Sequence, residues 1–263
     1  MIKAKKHYGQ NFLIDKNVLK QITQAIPKGT KNIVEIGSGL GDLTQELLKI
    51  SRVKAYEIDD ELIPHLKKKF QKELECENLK LFHQDASKVR SFDEDKYFLV
   101  ANLPYYIASH LILKALEDEH CLGLIVMIQK EMALKFCANE GESEFSSLGV
   151  LSAMICERKM LFEVEPACFN PPPKVTSAVI SLIKKAEFKD FCELESFKTF
   201  LRDCFKAPRK QLLKNLALYK DKVLKLLNEL KLKENVRAHE LCVDSYLKIY
   251  EKLKDEYERK QRE

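Results

Sequence analysis

The stretch Asn32-Ile33-Val34-Glu35-Ile36-Gly37-Ser38-Gly39-Leu40-Gly41-Asp42-Leu43-Thr44 joins a short apolar run to an amphipathic segment through three glycines. A strand that ends in such a turn lets the backbone approach a ligand closely. The spacing is Gly-x-Gly-x-Gly, not the phosphate-binding Gly-x-Gly-x-x-Gly, and no Lys-Ser or Lys-Thr pair follows to cradle a triphosphate. Twenty residues beyond Gly37, a second apolar run closes on Tyr56-Glu57-Ile58-Asp59. At that distance an acidic residue in a doubly wound sheet reaches ribose hydroxyls.

Working outward, apolar runs over 32–36, 53–58, 79–83, 97–101, 123–129, 150–156 and 175–183 read as strands. Amphipathic segments over 42–50, 60–74, 108–116 and 130–137 read as helices, with another over 16–25 ahead of the first strand. This alternation predicts an α/β, Rossmann-like sheet, mostly parallel, with helices on both faces. The last two strand candidates lack a clear helix between them, so a terminal antiparallel strand is expected. Residues 184–195 read as a polar connection, and from Phe197 onward the periodicity is helical. The expected division is a catalytic domain over 1–184 and a small all-α domain over 185–263, with a frayed, charged tail beyond Lys252.

The third and fourth strands end in His83-Gln84-Asp85-Ala86 and in Asn102-Leu103-Pro104-Tyr105. Four successive strands thus bring Gly37, Glu57, Asp85 and Asn102 to the carboxyl edge, where such sheets bind ligands. Asp85 can accept from an adenine amine. Asn102 with a main-chain carbonyl can accept from an exocyclic amine, while Tyr105 stacks on the base. Plain structural roles stay open for each: a turn for Gly37, an exposed strand end for Glu57, a helix cap for Asp85.

Hydrophobic residues make up 45% and charged residues 32%, the balance of a soluble globular chain. No apolar run is long enough to span a membrane, and Met1–Phe12 lacks the apolar core of a signal peptide, so a cytoplasmic protein is expected. Eight cysteines without a Cys-x-x-Cys pair read as reduced thiols, with no metal site expected. The net charge of +5 is unevenly spread. Residues 1–20 carry five Lys against one Asp, and residues 198–263 carry eighteen Lys and Arg against eleven Asp and Glu, leaving 21–197 at −6. Two basic ends around an acidic body suggest that the ends meet a polyanion.

Together these residues resemble the S-adenosylmethionine-dependent ribosomal RNA adenine dimethyltransferases, and within them the bacterial branch that acts on 16S rRNA. The likeness covers nearly the whole chain. It rests on Gly9-Gln10-Asn11-Phe12-Leu13, on Glu35–Gly41, Glu57, Asp85 and Asn102–Tyr105 in order, on Phe169-Asn170-Pro171-Pro172-Pro173-Lys174-Val175-Thr176-Ser177, and on Phe205-Lys206-Ala207-Pro208-Arg209-Lys210-Gln211-Leu212. In the last motif the family usually shows Arg-Arg-Lys where this chain has Pro208-Arg209-Lys210.

The resemblance implies cofactor contacts from Asn11, Leu13, Gly37, Glu57, Asp85 and Asn102. It implies base handling by Asn102, Leu103, Pro104, Tyr105 and Phe169, although Phe169 also reads as a core aromatic and Gln10-Asn11-Phe12 as a helix-leading loop. The basic ends offer Lys3, Lys5, Lys6, Arg202, Lys206, Arg209, Lys210 and Lys214 as phosphate contacts for 16S rRNA in the 30S subunit or its precursor. Nothing demands more than a monomer. Other readings are a resistance-type 23S rRNA adenine-N6 methyltransferase, a DNA adenine methyltransferase and a non-catalytic ribosome assembly factor.

Overall fold

The computed structural model describes residues 4–5, 8–186 and 194–262, so Lys3, Lys6 and most of the expected polar connection lie outside the described residues. Two compact units are present: residues 1–133 with 156–185, and residues 134–155 with 186–263.

The first unit begins with a two-residue strand β1 (Phe12–Leu13) and helix α1 (Lys16–Gln24). Asp15 caps that helix, its Oδ1 accepting from the amides of Asn17 at 2.8 Å and Val18 at 3.1 Å. There follow β2 (Asn32–Ile36), α2 (Asp42–Leu47), β3 (Arg52–Glu57), α3 (Leu62–Lys69), α4 (Gln71–Glu75), β4 (Leu79–His83), β5 (Tyr97–Asn102), α5 (Ala108–Glu117) and β6 (Cys121–Gln129). Helix α6 (Lys130–Cys137) leads out of this unit and α7 (Ser147–Ile155) leads back to β7 (Cys156–Val164), β8 (Phe169–Asn170) and β9 (Ser177–Lys184).

Seven strands pair in the order β4-β3-β2-β5-β6-β9-β7. The first five run parallel, and β9 runs antiparallel to both β6 and β7. The interior strands β2, β5 and β6 are near-continuous apolar runs because both their faces are covered. The β1–β8 pair stands apart as a small antiparallel ribbon, with Leu13 opposite Phe169.

Two expectations are corrected. Residues 150–156 do not form a strand; the apolar run belongs to α7, and the strand is β7, one element later. A short, fully apolar run carries no period to separate helix from strand. The true strand, Cys156-Glu-Arg-Lys-Met-Leu-Phe-Glu-Val164, is charge-rich because it lies at the sheet edge, where charges are tolerated. The helix expected over 60–74 breaks at Phe70, whose backbone (φ −115°) turns the ring inward to 3% exposure. That ring packs on Gly41; a Cβ there would sit 2.5 Å from it.

The second unit holds α7, α8 (Leu194–Cys204), α9 (Leu212–Asn215), α10 (Lys220–Glu229) and α11 (Val243–Arg262). Phe197, Phe200, Leu201 and Cys204 form the buried stripe of α8. They meet aromatic rings of α11, with Phe197–Tyr250 centroids at 5.1 Å and Phe200–Tyr257 at 5.5 Å. Helix α7 packs on α8 and α11, so this unit draws on 134–155 as well as on the region expected over 185–263. The helix runs through the expected frayed tail to Arg262.

Candidate active site

The carboxyl ends of β2, β3 and β5 converge on a cavity of about 530 Å³. The glycine turn after β2 is stitched to β3: the Gly37 amide donates to the Tyr56 carbonyl at 2.8 Å, and the Gly39 amide to Glu57 Oε2 at 2.8 Å. Glu57 Oε1 accepts from the amides of Ile58 and Asp59, both at 2.9 Å. Burial pushes the Glu57 carboxyl up, although these three N–H donors oppose the shift. Oε1 accepts twice and Oε2 once, so Oε2 retains acceptor capacity, and the residue lines the cavity.

Beneath this turn lies Glu35, 1% exposed. Its Oε2 accepts from the Thr44 hydroxyl at 2.6 Å and the Ser38 hydroxyl at 3.3 Å, tying β2 to the start of α2. Its Oε1 has no hydrogen-bond partner among the described residues, and burial pushes the carboxyl up to about 7.

Asn102 closes β5. Its Nδ2 donates to the Asn11 carbonyl at 3.0 Å, leaving Oδ1 free to accept. The following turn uses the Pro104 carbonyl to receive the Ile107 amide at 3.2 Å, while the Leu103 carbonyl receives no donor among the described residues. Tyr105 is anchored by its hydroxyl to Ser177 Oγ at 2.6 Å, so its ring is fixed in the cavity wall. Burial raises the Tyr105 phenol.

Residues 8–13 fold over these strand ends. Tyr8, Gly9, Gln10, Asn11 and Phe12 line the cavity, and the Phe12 ring lies over Gly39, where a Cβ would come within 3.0 Å. Leu13, 6% exposed, lines a smaller adjoining cavity of about 330 Å³ that shares Phe12, Gly37, Gly39 and Asn102.

Two expected site residues stand elsewhere. Asp85 takes the helix-capping role, its Oδ1 accepting from the Ser87 amide at 2.9 Å and hydroxyl at 2.7 Å, and it does not line either cavity. Burial raises its carboxyl, but the Ser87 donors and the Lys88 ammonium together outweigh that and hold it below the ordinary range. Phe169 is 3% exposed within the apolar core, because β8 pairs with β1, and its ring is absent from the cavity wall. Conversely, Ile58 was not singled out from the sequence. It is a large apolar residue, 37% exposed at the end of β3, and it lines the cavity. The mismatch between its side chain and the acidic residues around it was the available signal.

The basic residues separate in the same way. Lys5 Nζ pairs with Asp59 Oδ1 at 2.7 Å and Glu61 Oε1 at 3.1 Å, which ties it to the end of β3. Arg202 donates along its own helix to Thr199 Oγ1 at 2.8 Å. In the helical unit Arg209, Lys210 and Lys214 line a groove of about 1500 Å³ together with Lys231, Lys233 and Arg237, three cations the sequence did not single out. Arg202 and Lys206 are not part of that groove. Its floor is closed by the Gln211–Arg237 bridge and by the Leu212 amide donating to the Val236 carbonyl at 2.8 Å. Its one carboxylate, Glu240, is occupied by the Arg237 amide at 2.6 Å.

Residues 1–255 match the family described as ribosomal RNA adenine dimethylase. A protein named ribosomal RNA small subunit methyltransferase A from Campylobacter jejuni (strain RM1221) is 74% identical, with the whole of both chains covered. One of the same name from Campylobacter curvus is 54% identical over the whole of this chain and 96% of its own. Among solved structures, a dimethyladenosine transferase from Plasmodium falciparum superposes with a TM-score of 0.80 at 28% identity, covering 93% of this chain and 98% of that one. The 23S rRNA methyltransferase ErmE shares the fold, with a TM-score of 0.73 at 24% identity over 93% of this chain and the whole of its own. The chain belongs to the ribosomal RNA adenine dimethylase family.

Proposed function

We propose that the protein transfers methyl groups from S-adenosylmethionine to N6 of two adjacent adenosines near the 3′ end of 16S rRNA, within the small ribosomal subunit or its precursor. The product is N6,N6-dimethyladenosine. The observation that carries this reading is the state of the Asn102 carboxamide. Its NH2 is spent on the Asn11 carbonyl, and its Oδ1 is left as an acceptor beside the open Leu103 carbonyl and the fixed ring of Tyr105.

The residues present fit the cofactor. Adding a Cβ at Gly37 would meet only the Asn102 carbonyl, at 3.9 Å, so the glycine leaves a cradle open at the strand end. Glu57 offers carboxylate lone pairs to ribose hydroxyls, and Ile58 offers an apolar face to a flat base. Asp85 Oδ2, which its cap does not use and which the Lys88 ammonium approaches at 3.7 Å, is the proposed acceptor for the adenine amine. S-adenosylmethionine, when bound, supplies an electrophilic methyl group on sulfur.

Adenine N6 is a weak nucleophile because its lone pair is delocalised into the ring. Asn102 Oδ1 and the Leu103 carbonyl would accept hydrogen bonds from the two amine hydrogens, which favours a pyramidal nitrogen and stabilises the positive charge that grows there as the sulfur–methyl bond breaks; one N6 proton is then lost to water. Tyr105 stacks on the base and fixes its plane, so that alignment supplies much of the rate. The second transfer starts from an amine with one hydrogen, which requires one acceptor only. Phe169, buried in the core, is left out of the base contacts. The groove of the helical unit is assigned to RNA phosphates, which it holds without reading sequence.

The test is methyl transfer from labelled S-adenosylmethionine to 30S particles, free 16S rRNA and 23S rRNA from cells lacking the modification. Label recovered as N6,N6-dimethyladenosine in 30S particles is expected. Label confined to 23S rRNA, or none at all, overturns the proposal.

A further inference from the structure

Asp59 is fully buried, yet it is ionisable and two residues past the end of a strand. A buried carboxylate persists only where it is paired and hydrogen-bonded. Here two of its three partners come from the N-terminal segment. Oδ1 accepts from Lys5 Nζ at 2.7 Å and from the Glu61 amide at 3.1 Å, and Oδ2 accepts from Gln10 Nε2 at 2.7 Å. The Lys5 amide in turn donates to Gln10 Oε1 at 2.7 Å. Lys5, Gln10 and Asp59 therefore close a ring of hydrogen bonds that pins this segment to the end of β3.

The residue after Gln10 is Asn11, whose carbonyl receives Asn102 Nδ2 at 3.0 Å. No other hydrogen bond is made to the Asn102 side chain among the described residues. Because the partner is a carbonyl, only the NH2 of Asn102 can face it; a flipped carboxamide would set two acceptors against each other. The Asn11 carbonyl therefore decides which way the Asn102 Oδ1 points.

We propose that Asp59 is a positioning residue for methyl transfer: by clasping Lys5 and Gln10 it fixes the Asn11 carbonyl, which orients the carboxamide of Asn102. The inference rests on the role given to Asn102 in the proposed function. It assigns Lys5 and Gln10 to the same clasp, and it makes the order of the N-terminal segment a condition for an oriented acceptor.

The experiment combines two readouts on the full chain. The first is the side-chain amide signal of Asn102 in the 15N-labelled protein without cofactor or RNA, assigned by its disappearance in Asn102→Ser. Gln10→Ala removes the half-buried partner of the clasp and leaves Asp59 in place. In that variant the Asn102 amide protons are expected to shift and to exchange faster with water, at temperatures well below its melting midpoint, where the chain is folded. The second readout is a double-mutant cycle in single-turnover methyl transfer. Asp59→Asn and Gln10→Ala are each expected to slow transfer about tenfold to a hundredfold, the scale of a slightly misplaced reacting group. In an Asn102→Ala background neither is expected to slow it further, since a residue acting through Asn102 has nothing left to act on. An unchanged Asn102 signal in both clasp variants, or losses that multiply fully with Asn102→Ala, overturns the inference. Normal transfer by Asn102→Ala alone would instead sink the role of Asn102, while the amide signal would still decide whether the clasp orients it.

Discussion

In the proposed reaction Asn102 divides its carboxamide between the protein and the target amine, and this makes its substitution informative. Asn102→Ala removes one acceptor from the amine but leaves Glu57 and the glycine turn intact. Methyl transfer is therefore expected to fall by about two to three orders of magnitude, the scale for losing a preorganised hydrogen-bonding partner, with little change in S-adenosylmethionine affinity by calorimetry. Near-normal turnover would remove Asn102 from the chemistry.

Glu35 supports a different test, of stability. Its carboxyl is pushed up to about 7 by burial, so the folded chain holds that proton more tightly than the unfolded chain does. Its contribution to stability is fully present below the ordinary carboxylate range and is lost as pH rises through about 7. Glu35→Gln is expected to match the parent at pH 5 and to exceed it at pH 8 by on the order of 2 kcal/mol, read from urea unfolding at each pH. Equal stabilities at pH 8 would show that the buried carboxylate costs nothing. Glu57 and Asn102 were legible in the sequence because strand ends converge by topology alone. The sequence left both a cap and an adenine contact open for Asp85, and both a core and a base contact for Phe169; the cap on Ser87 and the β1–β8 pairing that buries Phe169 are what the fold adds.

At the scale of elements, the sequence located every strand of the parallel half, where apolar runs are bounded by turns and separated by amphipathic helices. It failed where the signal was ambiguous: α7 is apolar on all sides and so resembles a strand, while β7 is charged and so resembles neither. The end of α10 shows a subtler feature. Lys231 adopts φ +57°, with its amide on the Asn228 carbonyl at 3.0 Å and the Leu232 amide on the Leu227 carbonyl at 2.8 Å. That left-handed position after a helix usually holds glycine, since a Cβ there is strained. Lys231 nevertheless stands there, at the wall of the basic groove. Lys231→Gly is expected to stabilise the fold by up to about 1 kcal/mol and to weaken rRNA binding, a pairing of effects that chemical denaturation and filter binding can each measure. Unchanged RNA affinity would mean that the strain serves no phosphate contact.

Across the whole chain, the excess of cations after residue 198 was visible as a count, but not which of them converge. Arg202 lies on α8 and bonds to its own helix, whereas the chain reversal after α10 brings Lys231, Lys233 and Arg237 to the groove that also holds Arg209, Lys210 and Lys214. Six cations line this groove around one occupied carboxylate, and the polyanion proposed for it would bind by counterion release, which has a quantitative signature. Each phosphate contact contributes a slope of about 0.7 to 0.9 in the logarithm of affinity against the logarithm of salt concentration. Replacing Arg209, Lys210 and Lys214 together by Ala is thus expected to flatten that slope by about 2, equally for matched and unrelated RNA sequences, with cofactor affinity unchanged. A loss of affinity at an unchanged slope would mean that the substitutions had damaged the helical unit without removing ion contacts. A loss confined to one RNA sequence would mean that the groove reads bases, and the assignment of positioning to this unit and chemistry to the sheet edge would have to be withdrawn.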